Sequence, residues 1–191
     1  ITAVQSAFGP LFDARDVTHD GAVFDRLHAD GDTFPLGGLE VQVIHTPGHT
    51  PACVSYRIGD ALFTGDTLFM PDYGTARADF PGGDARTLYR SIQRLLTLPD
   101  ETRMFVGHDY LPAGRTDVRF ETTVGDQRAH NIHIGGGVTE DAFVAMRQAR
   151  DATLKAPQLI LPSLQINIRA GAMPPPEPDG RRFLKTPLNV I

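Results

Sequence analysis

Apolar and polar residues alternate most clearly over residues 39–45, where Leu39, Val41 and Val43 are separated by polar side chains. A period of two is typical of a strand with one buried face. We therefore predict a strand that ends near His45.

The next apolar segments are typical of a β-hairpin followed by one more strand. Residues 54–58 alternate in the same way, and Gly59-Asp60 fits a two-residue turn into a third strand at residues 61–64. A short apolar segment at residues 104–106 predicts a fourth strand, buried on both faces.

Two segments have the period of a helix instead. After Asp84, a good N-cap residue, apolar residues recur at intervals of three and four, which predicts a helix that ends near Leu98. Thr139 is expected to cap a second helix, which would run to about Lys155. We expect residues 1–32 to be irregular, with short elements.

Helices between strands indicate an α/β layer architecture. We expect a single, partial domain over residues 1–191, with an extended, proline-rich tail at residues 162–191. Composition agrees with a globular domain, since 41% of the 191 residues are hydrophobic and 21% are charged.

Charge and cysteine content exclude several classes of function. The net charge of −5, without a basic stripe, argues against nucleic-acid binding. Cys53 is the single cysteine, so no disulfide forms within the chain and a reducing compartment is favoured. No apolar run approaches the ~20 residues that cross a bilayer, so a cytoplasmic location without membrane association is expected.

Three side chains that ligate metals well follow predicted strands. His49, Asp66 and His108 each lie in a glycine-bearing loop at a strand end, where a sheet presents ligands on rigid supports. Imidazole and carboxylate together suit zinc or iron. A hairpin between His49 and Asp66 would return the second residue beside the first. Taken singly, each is more often a turn or cap residue.

The motifs around these residues resemble the metallo-β-lactamase superfamily. They are Thr46-Pro47-Gly48-His49-Thr50, Thr64-Gly65-Asp66-Thr67-Leu68 and Gly107-His108-Asp109-Tyr110. Within it, the chain resembles the persulfide dioxygenase branch, near the glyoxalase II-type hydrolases, because of Gly74-Thr75-Ala76-Arg77-Ala78-Asp79-Phe80 and His108-Asp109-Tyr110. The similarity covers roughly Leu36 to the C terminus and implies an αββα sandwich.

The resemblance implies a role for five residues. His49 and Asp66 would be two ligands of one metal ion. His108 would ligate a second metal in the hydrolase branch, and would lie nearby without ligating in the dioxygenase branch. Arg77 would hold an anionic group of a glutathione-type substrate, and Tyr110 would donate a hydrogen bond to the reacting sulfur or to oxygen.

Ordinary structural roles compete with two of these assignments. Arg77 is about as well explained by a surface ion pair with Asp72 or Asp79. Tyr110 is about as well explained as a half-buried packing residue.

One motif of the family is absent from the sequence. The His-x-His-x-Asp-His cluster would lie upstream; its first histidine would complete a two-histidine, one-carboxylate face on iron(II) in the dioxygenase branch. In the hydrolase branch the cluster would supply most of both zinc sites. Because the chain also begins at Ile1 rather than Met, we expect the sandwich to be incomplete at its N terminus.

Three functional hypotheses follow. The first is an iron(II) persulfide dioxygenase that oxidises glutathione persulfide to sulfite. The second is a dinuclear zinc thioester hydrolase of the glyoxalase II type, which is disfavoured because only one firm helix is predicted after His108. The third is a metal-free, inactive fragment. The implied partners are a small thiol or persulfide such as a glutathione derivative, and a homodimer is a further possibility.

Overall fold

The computed structural model describes residues 1–155, 157 and 159–188. The described residues form six strands and five α-helices. The strands are β1 (Thr33–Leu36), β2 (Leu39–His45), β3 (Val54–Ile58), β4 (Ala61–Phe63), β5 (Arg103–Phe105) and β6 (Glu121–Thr123). The helices are α1 (Thr2–Phe8), α2 (Ala85–Leu95), α3 (Val124–His130), α4 (Glu140–Asp151) and α5 (Ile160–Asn167).

The strands form one mixed sheet in the chain order β1 to β6. Neighbouring strands are antiparallel except β4 and β5, which pair in parallel. A parallel pair needs a crossover connection, and α2 lies in that connection. The mixed α/β architecture predicted from the sequence is therefore confirmed.

One face of the sheet packs against α2 and α4. Leu62 and Met104 on neighbouring strands are fully buried, as are Leu88 of α2 and Phe143 of α4. The opposite face is more open, and Phe63 on it is 41% exposed. The core thus lies between the sheet and this helical layer.

Most of the predicted strands and helices are observed. β2 ends at His45, β3 spans the predicted residues, and the side chain of Asp84 accepts a hydrogen bond from the Thr87 amide as the N-cap of α2. Thr139 caps α4 in the same way, although this helix ends at Asp151, four residues earlier than expected.

Helix α5 lies where the sequence predicts an extended tail. Pro162 falls in the first turn of this helix, where a backbone amide has no partner in the helix, so proline is tolerated there. The segment before residue 32 contains the seven-residue helix α1, in agreement with the short elements expected there. Among the described residues, three α-helices follow His108 rather than the one expected, so helix content does not disfavour the hydrolase.

The chain divides into two compact units. The larger unit, His28–Leu154, contains the whole sheet. The smaller unit comprises Ile1–Leu27 and Lys155–Ile191. In the smaller unit the buried side chain of Gln5 donates to the carbonyl of Ile168 over 3.0 Å. The single domain expected from the sequence stays a prediction.

None of the helices among the described residues is both long and apolar enough to span a bilayer.

Candidate metal centre

His49 lies in a tight turn directly beyond β2. Gly48 has φ +132°, and a Cβ there would lie 2.3 Å from the backbone nitrogen of Leu88 in α2. The carbonyl of Gly48 also accepts a hydrogen bond from the Asp84 amide, 2.8 Å away. Glycine is therefore required for this turn to approach the helix and present His49.

The imidazole of His49 is held at one nitrogen and open at the other. Nδ1 lies 2.7 Å from the backbone carbonyl of Arg77. Because a carbonyl oxygen only accepts, Nδ1 carries the proton. In the neutral ring, Nε2 then has a free lone pair, and it faces Oδ2 of Asp66 over 3.6 Å.

Asp66 lies just beyond β4, and His108 lies just beyond the neighbouring strand β5. Nε2 of His108 lies 3.2 Å from Oδ1 of Asp66. The two loops are joined by a hydrogen bond from the Gly107 amide to the carbonyl of Gly65, 3.1 Å long. The neighbouring side chain of His49, and after it the charge of His108, hold the pKa of Asp66 below its usual range.

The residues present fit a metal ion of the kind that the resemblance implies. An imidazole lone pair and a carboxylate oxygen repel one another unless a proton or a cation lies between them, and a metal ion satisfies both. Among the described residues, no group of three or more His, Cys, Asp or Glu side chains meets at one ion. Asp66 instead presents a different oxygen to each histidine, so His49 and His108 face separate positions.

Arg77 contacts His49 through its backbone carbonyl, whereas its charged side chain has other partners. Its guanidinium donates to both carboxylate oxygens of Asp79, over 2.5 and 2.6 Å, and lies over the ring of Phe80. The competing ion-pair interpretation with Asp79 is thus observed, whereas Asp72 pairs with Arg115. Binding of substrate by Arg77 stays a prediction.

Tyr110 lies at the exposed edge of an aromatic cluster. It is 52% exposed, and its ring lies 5.3 Å from Phe69, 5.0 Å from Tyr73 and 5.4 Å from His108, centroid to centroid. Partial burial and the charge of Asp66 raise the pKa of Tyr110. The hydroxyl therefore stays protonated near neutral pH and is available as a donor.

Asp109 shapes the loop that carries His108. Its carboxylate accepts two hydrogen bonds from Arg115, of 2.5 and 2.6 Å, and one from the Arg119 amide. Arg115 lowers the pKa of Asp109 to about 2. The hydrogen bonds of the Asp109 side chain thus hold the loop in place.

No local sequence pattern predicts the buried groups that hold residues 74–80. His133 is buried, accepts a hydrogen bond from the Thr75 amide over 2.9 Å, and stays neutral because burial lowers its pKa to about 4. Arg147 and Asp151 of α4 contact the same segment. A spacing of four residues predicts an ion pair on a helix, but not that the pair is buried.

Comparison with known proteins identifies the family. Residues 3–108 match the metallo-β-lactamase superfamily. The chain belongs to this superfamily. The resemblance inferred from the motifs is confirmed, and the matched region begins well before Leu36.

Three relatives with different names are each similar to nearly the whole of this chain. The chain is 56% identical over 202 residues to a probable metallo-hydrolase of Burkholderia pseudomallei, covering all of this chain and 68% of that protein. It is 52% identical to glyoxylase B2 of Dictyostelium discoideum, covering 98% of this chain and 65% of the relative. A β-lactamase hydrolase-like protein of Xylella fastidiosa is also 52% identical, and this chain spans 44% of its length.

A solved structure has the same fold over most of the chain. The crystal structure of ETHE1 from Myxococcus xanthus superposes with a TM-score of 0.71 and 34% sequence identity, covering 87% of this chain and 72% of the other. These family members are enzymes, and the family binds metal ions.

Replacing Gly48 with alanine tests the turn that presents His49. The new Cβ would overlap the backbone of Leu88, which cannot move without disturbing α2. Gly59→Ala is the matched control, because Gly59 also has positive φ (+60°) but has open space around it. We expect Gly48→Ala to lower the free energy of unfolding by at least about 2 kcal/mol more than the control does, measured by urea denaturation. Equal losses would contradict the close approach.

The Asp109–Arg115 pair predicts a defined acid dependence of stability. The pKa of Asp109 is lower in the folded chain, so its contribution is complete above its unfolded pKa of ~3.9 and is lost as the pH falls towards 2. Asp109→Asn should therefore be less stable than the unchanged chain at pH 6, and this difference should shrink between about pH 4 and 2. Urea denaturation across that range measures it. A difference that does not change with pH would contradict the pairing.

Proposed function

We propose that His49 and Asp66 are two protein ligands of an iron(II) ion in a persulfide dioxygenase that acts on a glutathione persulfide. One observation supports the proposal most directly: Nε2 of His49 and Oδ2 of Asp66 face each other at the sheet edge, 3.6 Å apart. The likeness to ETHE1 supports it, since that structure is similar over 87% of this chain.

The reaction is balanced by one O2 and one water for each persulfide, giving the thiol, sulfite and two protons. Iron(II) held at this position would supply the redox chemistry. Asp66 is charged at neutral pH, as an aspartate whose pKa is not raised must be, and it would offset the charge of the metal. His49 is kept in the tautomer that points its lone pair away from Arg77.

Two further residues are proposed to contact the substrate. Tyr110 stays protonated and lies beside His108 at the exposed edge, so it donates a hydrogen bond to the reacting sulfur. Arg77 holds a carboxylate of the glutathione part, for which it exchanges its contact with Asp79. An anion bound there takes over the two donors that Asp79 now occupies.

A dinuclear zinc thioester hydrolase is the second candidate. It is favoured by Asp66, which presents Oδ2 to His49 and Oδ1 to His108. Each histidine could therefore hold a separate zinc ion together with this one carboxylate. The likeness to glyoxylase B2, at 52% identity, supports it as well. In this case the metals would lower the pKa of a bound water towards ~7 and polarise the thioester carbonyl.

Metal titration of single variants distinguishes the candidates. For the dioxygenase we expect His49→Ala and Asp66→Ala to abolish iron(II) retention under anaerobic conditions, whereas His108→Ala retains it. For the hydrolase, His108→Ala should lose one of two bound zinc ions. His130→Ala is the matched control, because Nδ1 of His130 also lies 2.8 Å from an aspartate, Asp126, on the exposed surface.

The readouts are metal content after gel filtration, O2 uptake with glutathione persulfide, and cleavage of a glutathione thioester. Circular dichroism confirms that each variant is folded. Unchanged metal content in both His49→Ala and Asp66→Ala would overturn the proposal. No metal in the unchanged chain would also overturn it, and would favour the metal-free alternative.

A further inference from the structure

A buried ion pair in α4 contacts the loop that supports His49. Arg147 and Asp151 are one helical turn apart and are 2% and 5% exposed. Arg147 approaches one oxygen of Asp151 with Nε and Nη2, over 2.9 and 2.7 Å. Arg147 also donates to the carbonyl of Thr75 over 3.2 Å. The pair is therefore fixed both to the helix and to residues 74–80.

The second oxygen of Asp151 reaches the peptide unit that holds His49. Oδ2 accepts a hydrogen bond of 2.8 Å from the amide of Ala78. The carbonyl of that same peptide unit belongs to Arg77, and it accepts the 2.7 Å hydrogen bond from Nδ1 of His49. A peptide unit is planar, so fixing its N–H also fixes the direction of its C=O.

We propose that Asp151 is a positioning residue for His49, acting through the Arg77–Ala78 peptide, and that Arg147 holds the Asp151 carboxylate in place. Hydrogen bonds in series polarise one another, so the carboxylate makes the Arg77 carbonyl a stronger acceptor. A strong acceptor at the second nitrogen of a metal-binding histidine fixes its tautomer and raises its basicity. Here a carboxylate exerts this effect through an intervening peptide.

An ion pair with a purely structural role would not need to be hydrogen-bonded to the peptide that contacts His49. Replacing a buried pair with apolar residues of similar size is often neutral or stabilising, so its stability alone does not explain its position. The positioning role predicts instead that loss of the pair changes the chemistry of His49 even where the fold is kept. The effect on metal binding rests on the proposed metal role of His49. The effect of Asp151 on the His49 tautomer can be tested without metal.

The main variant is Arg147→Met/Asp151→Leu, which removes both charges together and the acceptor for the Ala78 amide. The matched control is Arg169→Met/Asp16→Leu in the smaller unit. There the buried Arg169 makes two hydrogen bonds of 2.7 Å, one to each oxygen of the partly exposed Asp16. A conservative variant, Arg147→Gln/Asp151→Asn, restores an oxygen opposite the Ala78 amide.

Nitrogen-15 NMR of the metal-free chain at about pH 8, above the ordinary pKa of imidazole, reports the tautomer of His49. We expect the Nδ1–H form alone in the unchanged chain and in the control, and a mixture with the Nε2–H form in the main variant. The conservative variant should shift the ratio back towards Nδ1–H. A folded main variant with an unchanged tautomer would overturn the proposal.

A second measurement, made on the unchanged chain, tests the proposal even if the main variant does not fold. In the unchanged chain, scalar couplings across hydrogen bonds should connect Nδ1 of His49 with the Arg77 carbonyl, and the Ala78 amide with the Asp151 carboxyl carbon. Both couplings support the proposal, and the absence of either overturns it.

Titration with cobalt(II) connects the inference to the metal centre. The main variant should bind cobalt(II) about tenfold more weakly than the control does. If His49→Ala leaves cobalt(II) binding unchanged, the proposed metal role fails, whereas the NMR result still decides whether Asp151 positions His49.

Discussion

The hydrogen bond from Nδ1 of His49 to the carbonyl of Arg77 is the constraint on which the candidate centre depends. It places the proton of the neutral ring on the nitrogen that faces the protein. The other nitrogen is left with a lone pair opposite a carboxylate that is charged at neutral pH. Two acceptors held face to face favour a cation between them, which is the physical basis of the assignment.

The fold provides this arrangement by bringing three loops to one edge of a sheet. The antiparallel pairing of β2, β3 and β4 returns the chain so that His49 and Asp66 meet, and the parallel pairing of β4 with β5 adds His108. Two glycines make the approaches possible. Gly48 lies against α2, and Gly107 lies close enough to Gly65 for their backbones to hydrogen bond.

The sequence predicted much of this arrangement because the relevant signals are local. Alternation predicted β2 and β3, and the N-cap residue Asp84 predicted the start of α2. The structure brings the candidates His49 and Asp66 close together, because a hairpin constrains where its ends lie. Their roles as ligands stay predictions. Helix α5 was not predicted, because Pro162 was taken as a helix breaker although proline is tolerated in a first turn.

The support of the centre was not predictable in the same way. Arg147, Asp151 and His133 contact residues 74–80 from positions more than 55 residues away in sequence, and no local pattern indicates such pairings. Arg77 illustrates the difference. Its side chain was singled out for its charge, whereas its backbone carbonyl makes the contact with His49.

The central claim is that one metal ion lies between His49 and Asp66. Anomalous X-ray diffraction from crystals grown with iron(II) or zinc tests it directly. The account predicts an anomalous peak about 2.1 Å from both Nε2 of His49 and a carboxylate oxygen of Asp66, with Nδ1 still bonded to the Arg77 carbonyl. A peak bound to Nδ1, or no peak near these two side chains in a loaded crystal, would contradict it.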